Sequence, residues 1–255
     1  MGTFENEIVE FEEIISTQLL AKKYLKEKKA THGQVLIAKK QTDGIGRLDR
    51  GWSSPLGGLW MTTIYNCDNP LEQFQGFSIR LGLEIIKELE RVLPVVFQIK
   101  WPNDLIFDNK KVGGILIDTQ MEGSNLKNII IGIGININNK SDDMQSQITS
   151  LAISLSEICG KEISIDLVRK AVLMAQNRIF LQTDSKEIKD ITDIWKTKSS
   201  GYQKEIRVVT DKETILGIEQ GITEAGELII KTTNNGFEYV SAGDIELMRI
   251  IEYKK

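Results

Sequence analysis

From Asn128 to Asn138 the chain reads Asn-Ile-Ile-Ile-Gly-Ile-Gly-Ile-Asn-Ile-Asn, which from Ile131 onward is a strict two-residue alternation and reads as a β-strand. One face carries Ile131, Ile133, Ile135 and Ile137; the other carries Gly132, Gly134, Asn136 and Asn138. An isoleucine face packs on helices. The opposite face is bare main chain at two successive positions, which marks close approach either by a ligand or by a crossing helix.

The flanking sequence supplies partners for such a strand. Glu7–Glu13 alternates apolar and acidic residues, and Val35–Ala38 and Leu59–Tyr65 are β-rich, so all three read as strands. Val95–Trp101 places Phe97, Ile99 and Trp101 on one face, and Val112–Asp118 follows a polar turn at Asp108–Lys111. Ser16 or Thr17 caps a helix running through Leu25, and Asn69–Pro70 opens an amphipathic helix reaching about Leu93. Further helices are predicted over Thr149–Cys159, Asp166–Phe180 and Lys186–Lys198. After Ser199-Ser200-Gly201 the pattern changes to short strands at Glu205–Thr210, Glu213–Thr223, Leu228–Thr233 and Phe237–Ser241. Turn signals at Ala225-Gly226 and Asn234-Asn235-Gly236 separate them. Two domains are therefore expected, 1–200 and a small all-β unit at 201–255.

Composition removes several classes of function. A net charge of −4 with interspersed signs gives no basic face for nucleic acid. No apolar run is long enough to span a bilayer, and the acidic start is not a signal peptide. Cys67 and Cys159 are too few for a disulfide framework, which points to a reducing cytoplasm. His32 is the single histidine and sits in a turn, so His-based triads and zinc sites are excluded. Catalysis falls to Lys, Arg, Asp, Asn, backbone amides or a bound metal.

Three clusters carry such chemistry. Gln41-Thr-Asp-Gly-Ile-Gly-Arg-Leu-Asp-Arg-Gly-Trp52 has no helical or strand periodicity and reads as a loop. Its glycines let backbone approach a ligand, Arg47 and Arg50 offer forked donors for phosphate or carboxylate, and Trp52 is a flat lid. It is neither a dinucleotide fingerprint nor a P-loop; the plainer alternative is a solvated surface turn. Lys100-Trp101-Pro102-Asn103-Asp104 gathers basic, amide and acidic groups at a strand end, or forms a simple salt-bridged turn. Lys111-Val112-Gly113-Gly114 sets a lysine at the mouth of a bare strand, or is a hairpin edge with packing glycines.

Taken in order, these clusters and the Gly-Ile-Gly-Ile-Asn-Ile-Asn strand closely resemble the biotin–protein ligases. Lys-Trp-Pro-Asn-Asp is the most specific piece, Gly-Arg-Leu-Asp-Arg with Gly-Gly-Leu-Trp looks most like the archaeal form, and Ser16-Thr17 resembles the start of the family's Ser-Thr-Asn. The resemblance implies an α+β fold of the class II aminoacyl-tRNA synthetase/biotin ligase type. That fold is a mixed, mainly antiparallel sheet flanked by helices, with a C-terminal SH3-like β-barrel. It implies biotin contacts at Ser16, Thr17, Gln41, Gly44, Arg47, Lys111, Gly113 and Gly114. Adenylate contacts fall at Arg47, Arg50, Trp52, Lys100, Asn103, Lys111 and Asn136, and Asp104 is a candidate Mg²⁺ ligand. Arg47, Lys111 and Asp104 are the implied catalytic groups.

The implied substrates are ATP and biotin, the implied partner is a biotin carboxyl carrier protein, and a homodimer follows from the same family. The arginine loop is expected to order over biotin. Gln18 stands where asparagine is usual, which predicts one weakened ligand contact; Ile45 and Gly51 replace common basic residues. The catalytic clusters begin almost at once, which predicts no DNA-binding repressor segment. A lipoate–protein ligase or a non-catalytic biotin sensor are the alternatives.

Overall fold

The computed structural model describes residues 7–70, 74–140, 151–182, 191–243 and 245–251 of the chain. The strands are β1 (Ile8–Ile14), β2 (Gln34–Ile45), β3 (Gly51–Ser54), β4 (Leu59–Pro70), β5 (Gln98–Lys100), β6 (Asp104–Phe107), β7 (Lys110–Glu122) and β8 (Asn125–Ile135). They form one sheet in the order β1-β2-β4-β8-β7-β6-β5, with β3 added to β2. Only the β1–β2 pair is parallel among these strands.

The alternating strand sits at the centre of this sheet, and its two faces meet different neighbours. Ile131, Ile133 and Ile135 are buried in the main core, beside helices α2 (Phe77–Val92) and α4 (Ile165–Gln182). On the other face Ile130 packs with Ala21 of helix α1 (Thr17–Lys26), Leu36 and Ile64. Ser16 is the N-cap of α1, its hydroxyl accepting from the Leu19 amide. That helix covers only part of the face, and the uncovered part becomes a cavity.

Three expected elements differ. The segment 41–52 is not a loop: β2 runs to Ile45, a short 3₁₀ turn spans Arg47–Asp49, and β3 returns antiparallel with Gly44 opposite Trp52. The pairing rests on backbone contact, which side-chain periodicity does not report; a Cβ on Gly44 would lie 2.4 Å from the Trp52 carbonyl. Asn69–Pro70 does not open a helix, because β4 continues to Pro70 opposite Asn125, and α2 starts at Phe77. Proline suits a strand end as well as a first helical turn. The predicted strand at Val95–Trp101 shortens to β5, yet Phe97, Ile99 and Trp101 are all buried, as one face should be.

The remaining helices are α3 (Leu155–Cys159) and α5 (Ile191–Lys198); the expected starts at Thr149 and Lys186 lie outside the described residues. A second, antiparallel sheet follows: β9 (Glu205–Thr210), β10 (Thr214–Ile222), β11 (Leu228–Thr232), β12 (Phe237–Val240) and β13 (Ile245–Ile250). Its order is β12-β11-β10-β9-β13, so a fifth strand joins the four expected. Glu219 ties it to α5: its carboxylate accepts from Trp195 Nε1 at 3.0 Å and from Ser199 Oγ at 2.5 Å. Trp101 Nε1 donates to the Gly226 carbonyl at 3.0 Å. The three bonds bring the small sheet against α5 and the end of β5.

Candidate active site

Where α1 leaves β8 uncovered, the hairpin β2–β3 arches over and encloses a cavity of about 310 Å³. Its wall includes residues of the second sheet, Ile245, Leu247 and Met248. Trp52 is laid on the glycine-bared floor. A Cβ at Gly134 would lie 2.6 Å from Trp52 Nε1, and one at Gly114 would lie 3.2 Å from its ring. These two glycines are therefore required for the indole to lie flat. At Gly132 the neighbour is instead Gln18 from α1. Both readings of a bare strand face apply, residue by residue.

One end of the cavity is uncharged. The Thr17 amide and hydroxyl donate to Gln41 Oε1 at 2.8 and 3.1 Å, and Gln41 Nε2 donates to Ser54 Oγ at 2.7 Å. Ser54 Oγ in turn lies 3.2 Å from the Trp52 carbonyl. Behind them Thr62, fully buried in β4, reaches Thr17 Oγ1 at 2.8 Å. A directional chain of hydrogen bonds thus joins the floor to the hairpin arm. Ser16 also lines this end.

The other end is cationic. Lys111 Nζ lies 2.5 Å from Asp104 Oδ1 and 4.6 Å above the Trp52 ring. Lys100 and Asp104 are opposite one another across β5 and β6, and Asp104 in turn faces Gly114. Burial pushes the Lys100 pKa down; Asp104 opposes the shift, and Lys111 and Arg249 add to it. Burial likewise lowers that of Arg47, against Asp104 and together with Arg50; a guanidinium keeps its charge nonetheless. Arg47 donates through Nη2 to the Ala242 carbonyl, so the arm touches the second sheet. Asn103 Nδ2 donates to the Ile115 carbonyl at 2.6 Å. Asn136 is buried, with Nδ2 3.4 Å from the Lys111 carbonyl and Oδ1 accepting from Asn139.

Known proteins resemble this chain in sequence and fold. Residues 10–136 match the biotin/lipoate A/B protein ligase family, and residues 204–248 match the biotin protein ligase C-terminal domain. The bifunctional ligase/repressor BirA of Bacillus spizizenii is 31% identical over 238 residues, covering 93% of this chain and 73% of that protein. The chain belongs to the biotin protein ligase family. The biotin–[acetyl-CoA-carboxylase] ligase of Mycobacterium tuberculosis is 24% identical over 224 residues, covering 85% of this chain and 80% of that protein. The fold is shared with the biotin protein ligase from Aquifex aeolicus in complex with biotin and ATP. That structure superposes with a TM-score of 0.81 at 29% identity, covering 96% of this chain and 99% of that one.

Of the residues expected from the family's pattern, the cavity wall brings together Ser16, Thr17, Gln41, Arg47, Arg50, Trp52, Lys100, Asn103, Asp104, Lys111, Gly114 and Asn136. Gly44 and Gly113 stand outside the wall. Gly44 admits the returning arm, and a Cβ on Gly113 would lie 2.7 Å from the Gly134 carbonyl, so it serves the fit of β7 against β8. Sequence reasoning missed Thr62, whose place opposite Gly132 becomes visible only once the β4–β8 register is known. It also missed the wall residues Ile245, Leu247 and Met248, because β13 was not among the expected strands.

Proposed function

We propose that the chain is an ATP-dependent biotin–protein ligase. It forms biotinyl-5′-AMP with release of pyrophosphate, then transfers biotin to a lysine of a biotin carboxyl carrier protein. The observation that carries this is the position of Lys111 in a cavity with one uncharged and one cationic end: its Nζ lies 2.5 Å from Asp104 Oδ1 and 4.6 Å over the Trp52 ring. A ligand with its polar ring over Thr17 and Gln41 presents its carboxylate toward that lysine.

In the first step a carboxylate oxygen attacks the α-phosphorus and the bond to pyrophosphate breaks. In the second an amine attacks the acyl carbon, AMP leaves and the amine loses a proton. Negative charge develops on oxygens in both, so placed cations and positioning do the work. Arriving carboxylate and phosphate compete with Asp104 for Lys111, and Asp104 is released to orient the amine. Asp104→Asn is expected to slow transfer more than adenylation.

Among the described residues no group of three or more His, Cys, Asp or Glu could hold a metal ion. Asp104 is one carboxylate among cations, already paired with Lys111. Alone these residues form no Mg²⁺ site; a Mg²⁺ held chiefly by the nucleotide's phosphates would take at most the Asp104 carboxylate as a protein ligand, and the lysines and Arg47 offset phosphate charge with it. No described helix is long and apolar enough to cross a membrane, and a cytoplasmic location remains part of the proposal. So does a homodimer, which sedimentation at several concentrations tests; a monomer throughout would remove it.

Pyrophosphate release that requires both biotin and ATP, followed by biotin transfer to a carrier domain, tests the function. Release with lipoate in place of biotin would favour a lipoate ligase, and binding with no release would favour a sensor. Limited proteolysis with and without biotin tests whether the arm at 41–52 closes on the ligand; equal cleavage would count against it.

A further inference from the structure

Strand β5 is three residues long, lies at the edge of the large sheet, and carries Lys100 at the cationic end of the cavity. An edge so short has little pairing of its own to hold it. Its outer side is closed by the segment after α5: Ile99 bridges Ser199 in parallel, and the Ser200 amide donates to the Ile99 carbonyl at 2.9 Å. On the other side of Lys100, Trp101 Nε1 is bound to the Gly226 carbonyl, in the turn between β10 and β11. Lys100 is therefore bracketed by two neighbours that the small sheet and its approach hold in place.

Glu219 on β10 closes this brace. It is fully buried, and a single oxygen, Oε1, accepts from both Trp195 Nε1 and Ser199 Oγ. The Ser199 hydroxyl has one proton, and giving it to Glu219 leaves Ser199 Oγ to accept from the Gly201 amide at 3.1 Å. The direction of the chain is thus fixed from Gly201 through Ser199 to the carboxyl. Glu219 Oε2 is buried with no hydrogen-bond partner among the described residues. It fits only because residue 201 has no side chain: a Cβ there would lie 2.2 Å from Oε2 and 3.2 Å from Cε of Met248, a residue of the cavity wall. A buried carboxyl with one oxygen unused is a poor source of stability, since an apolar side chain of similar volume often serves as well or better. What it supplies is a fixed place for the Ser199 segment.

We infer that Glu219 is a positioning residue for Lys100: through Ser199 and Ile99 it holds β5 where the Lys100 ammonium meets the phosphates of a nucleotide. This rests on the ligase function proposed above and adds a residue of the second sheet to its adenylation step. Burial already works against the charge on Lys100, so a loosened β5 would let the ammonium turn away toward water. A cation stabilises developing charge fully only when it is held in place beforehand. The uncharged end takes its hydrogen bonds from α1, β2, β3 and β4, and none of them runs through Glu219.

Steady-state pyrophosphate release by the full chain, with ATP varied at saturating biotin, tests this beside titration calorimetry with biotin alone. Glu219→Leu removes the acceptor and is expected to lower kcat/KM for ATP about tenfold, the scale of one weakened hydrogen bond to a charged group. Biotin affinity is expected to stay unchanged. Glu219→Gln keeps an oxygen for Trp195 and Ser199 and should behave as wild type in both measurements. In a chain that already carries Lys100→Ala, Glu219→Leu is expected to cost nothing further, because residues that act through one another are not additive. A wild-type kcat/KM in Glu219→Leu, an equal loss of biotin affinity, a loss as large in Glu219→Gln, or a loss undiminished without Lys100 overturns the role. Should Glu219→Leu not fold, Ser199→Ala removes the donor instead, and an unchanged kcat/KM for ATP in that variant overturns it. A wild-type chain that releases no pyrophosphate from biotin and ATP refutes the ligase function itself; an active wild type with indifferent variants refutes only the positioning by Glu219.

Discussion

At the uncharged end of the cavity Thr62, Thr17, Gln41 and Ser54 pass hydrogen bonds from one to the next, whereas at the other end Lys100, Arg47 and Lys111 gather about a single carboxylate, Asp104. The first end is satisfied by the protein itself and is pre-organised for a neutral ring. The second has more positive than negative charge in a half-buried place, and burial already disfavours its cations. Added anion relieves that imbalance. One end specifies shape and donors; the other draws charge.

The contrast breaks most visibly at Lys111. Lys111→Ala is expected to cost about 2.7–4 kcal/mol in adenylation, on the scale of a lost oxyanion donor, read as pyrophosphate release; adenylate formed at the wild-type rate would dismiss the electrostatic role. Next is the floor shared by both ends. Gly134→Ala drives a methyl into the Trp52 indole and should weaken biotin by about 1–3 kcal/mol, the range for overpacking. Calorimetry alongside Trp fluorescence checks it, and unchanged affinity with an unmoved indole would show the floor to be slack. Thr62→Val tests the uncharged chain alone: KM for biotin is expected to rise by the equivalent of about 1 kcal/mol with ATP kinetics intact. A change in KM for ATP instead would mean the two ends are not separate.

The smallest effect lies outside the cavity. Burial raises the Glu219 pKa above the usual carboxylate value of 4.5, against the bonds from Ser199 and Trp195 that pull it down. A carboxyl with a raised folded pKa stabilises fully below its unfolded value and loses that contribution as pH rises through the folded one. The stability advantage of wild type over Glu219→Gln should therefore be greatest at acid pH and shrink on going to neutral and alkaline pH. Thermal melts across that range measure it, and a gap constant with pH would show Glu219 not to be the titrating group.

How far the site could be read in advance depended on what positions each residue. Ile131, Ile133 and Ile135 announce their face by side-chain alternation, and Ser16 announces a helix start by capping chemistry. Lys100, Asp104 and Lys111 were legible as a charged set because their spacing crosses two tight turns. The hairpin arm was not. Its order comes from main-chain pairing around Gly44 and carries no apolar rhythm, and its tip holds Leu48 and Asp49 at positive φ of 54° and 53°, unusual for side chains of that kind. Strand β13 escaped because its register shifts between Ile245 and Leu247. The helix start at Asn69 failed because proline serves two kinds of element end equally well.

The bond from Arg47 to the Ala242 carbonyl has a practical corollary for anyone trimming this molecule. A fragment ending near Lys198 would retain every polar side chain named at either end of the cavity except Arg249. It would nonetheless lose the wall from Ile245, Leu247 and Met248 and the carbonyl that anchors Arg47, leaving an open trough in which a reactive mixed anhydride faces bulk water. Such a fragment should consume ATP while yielding little modified carrier.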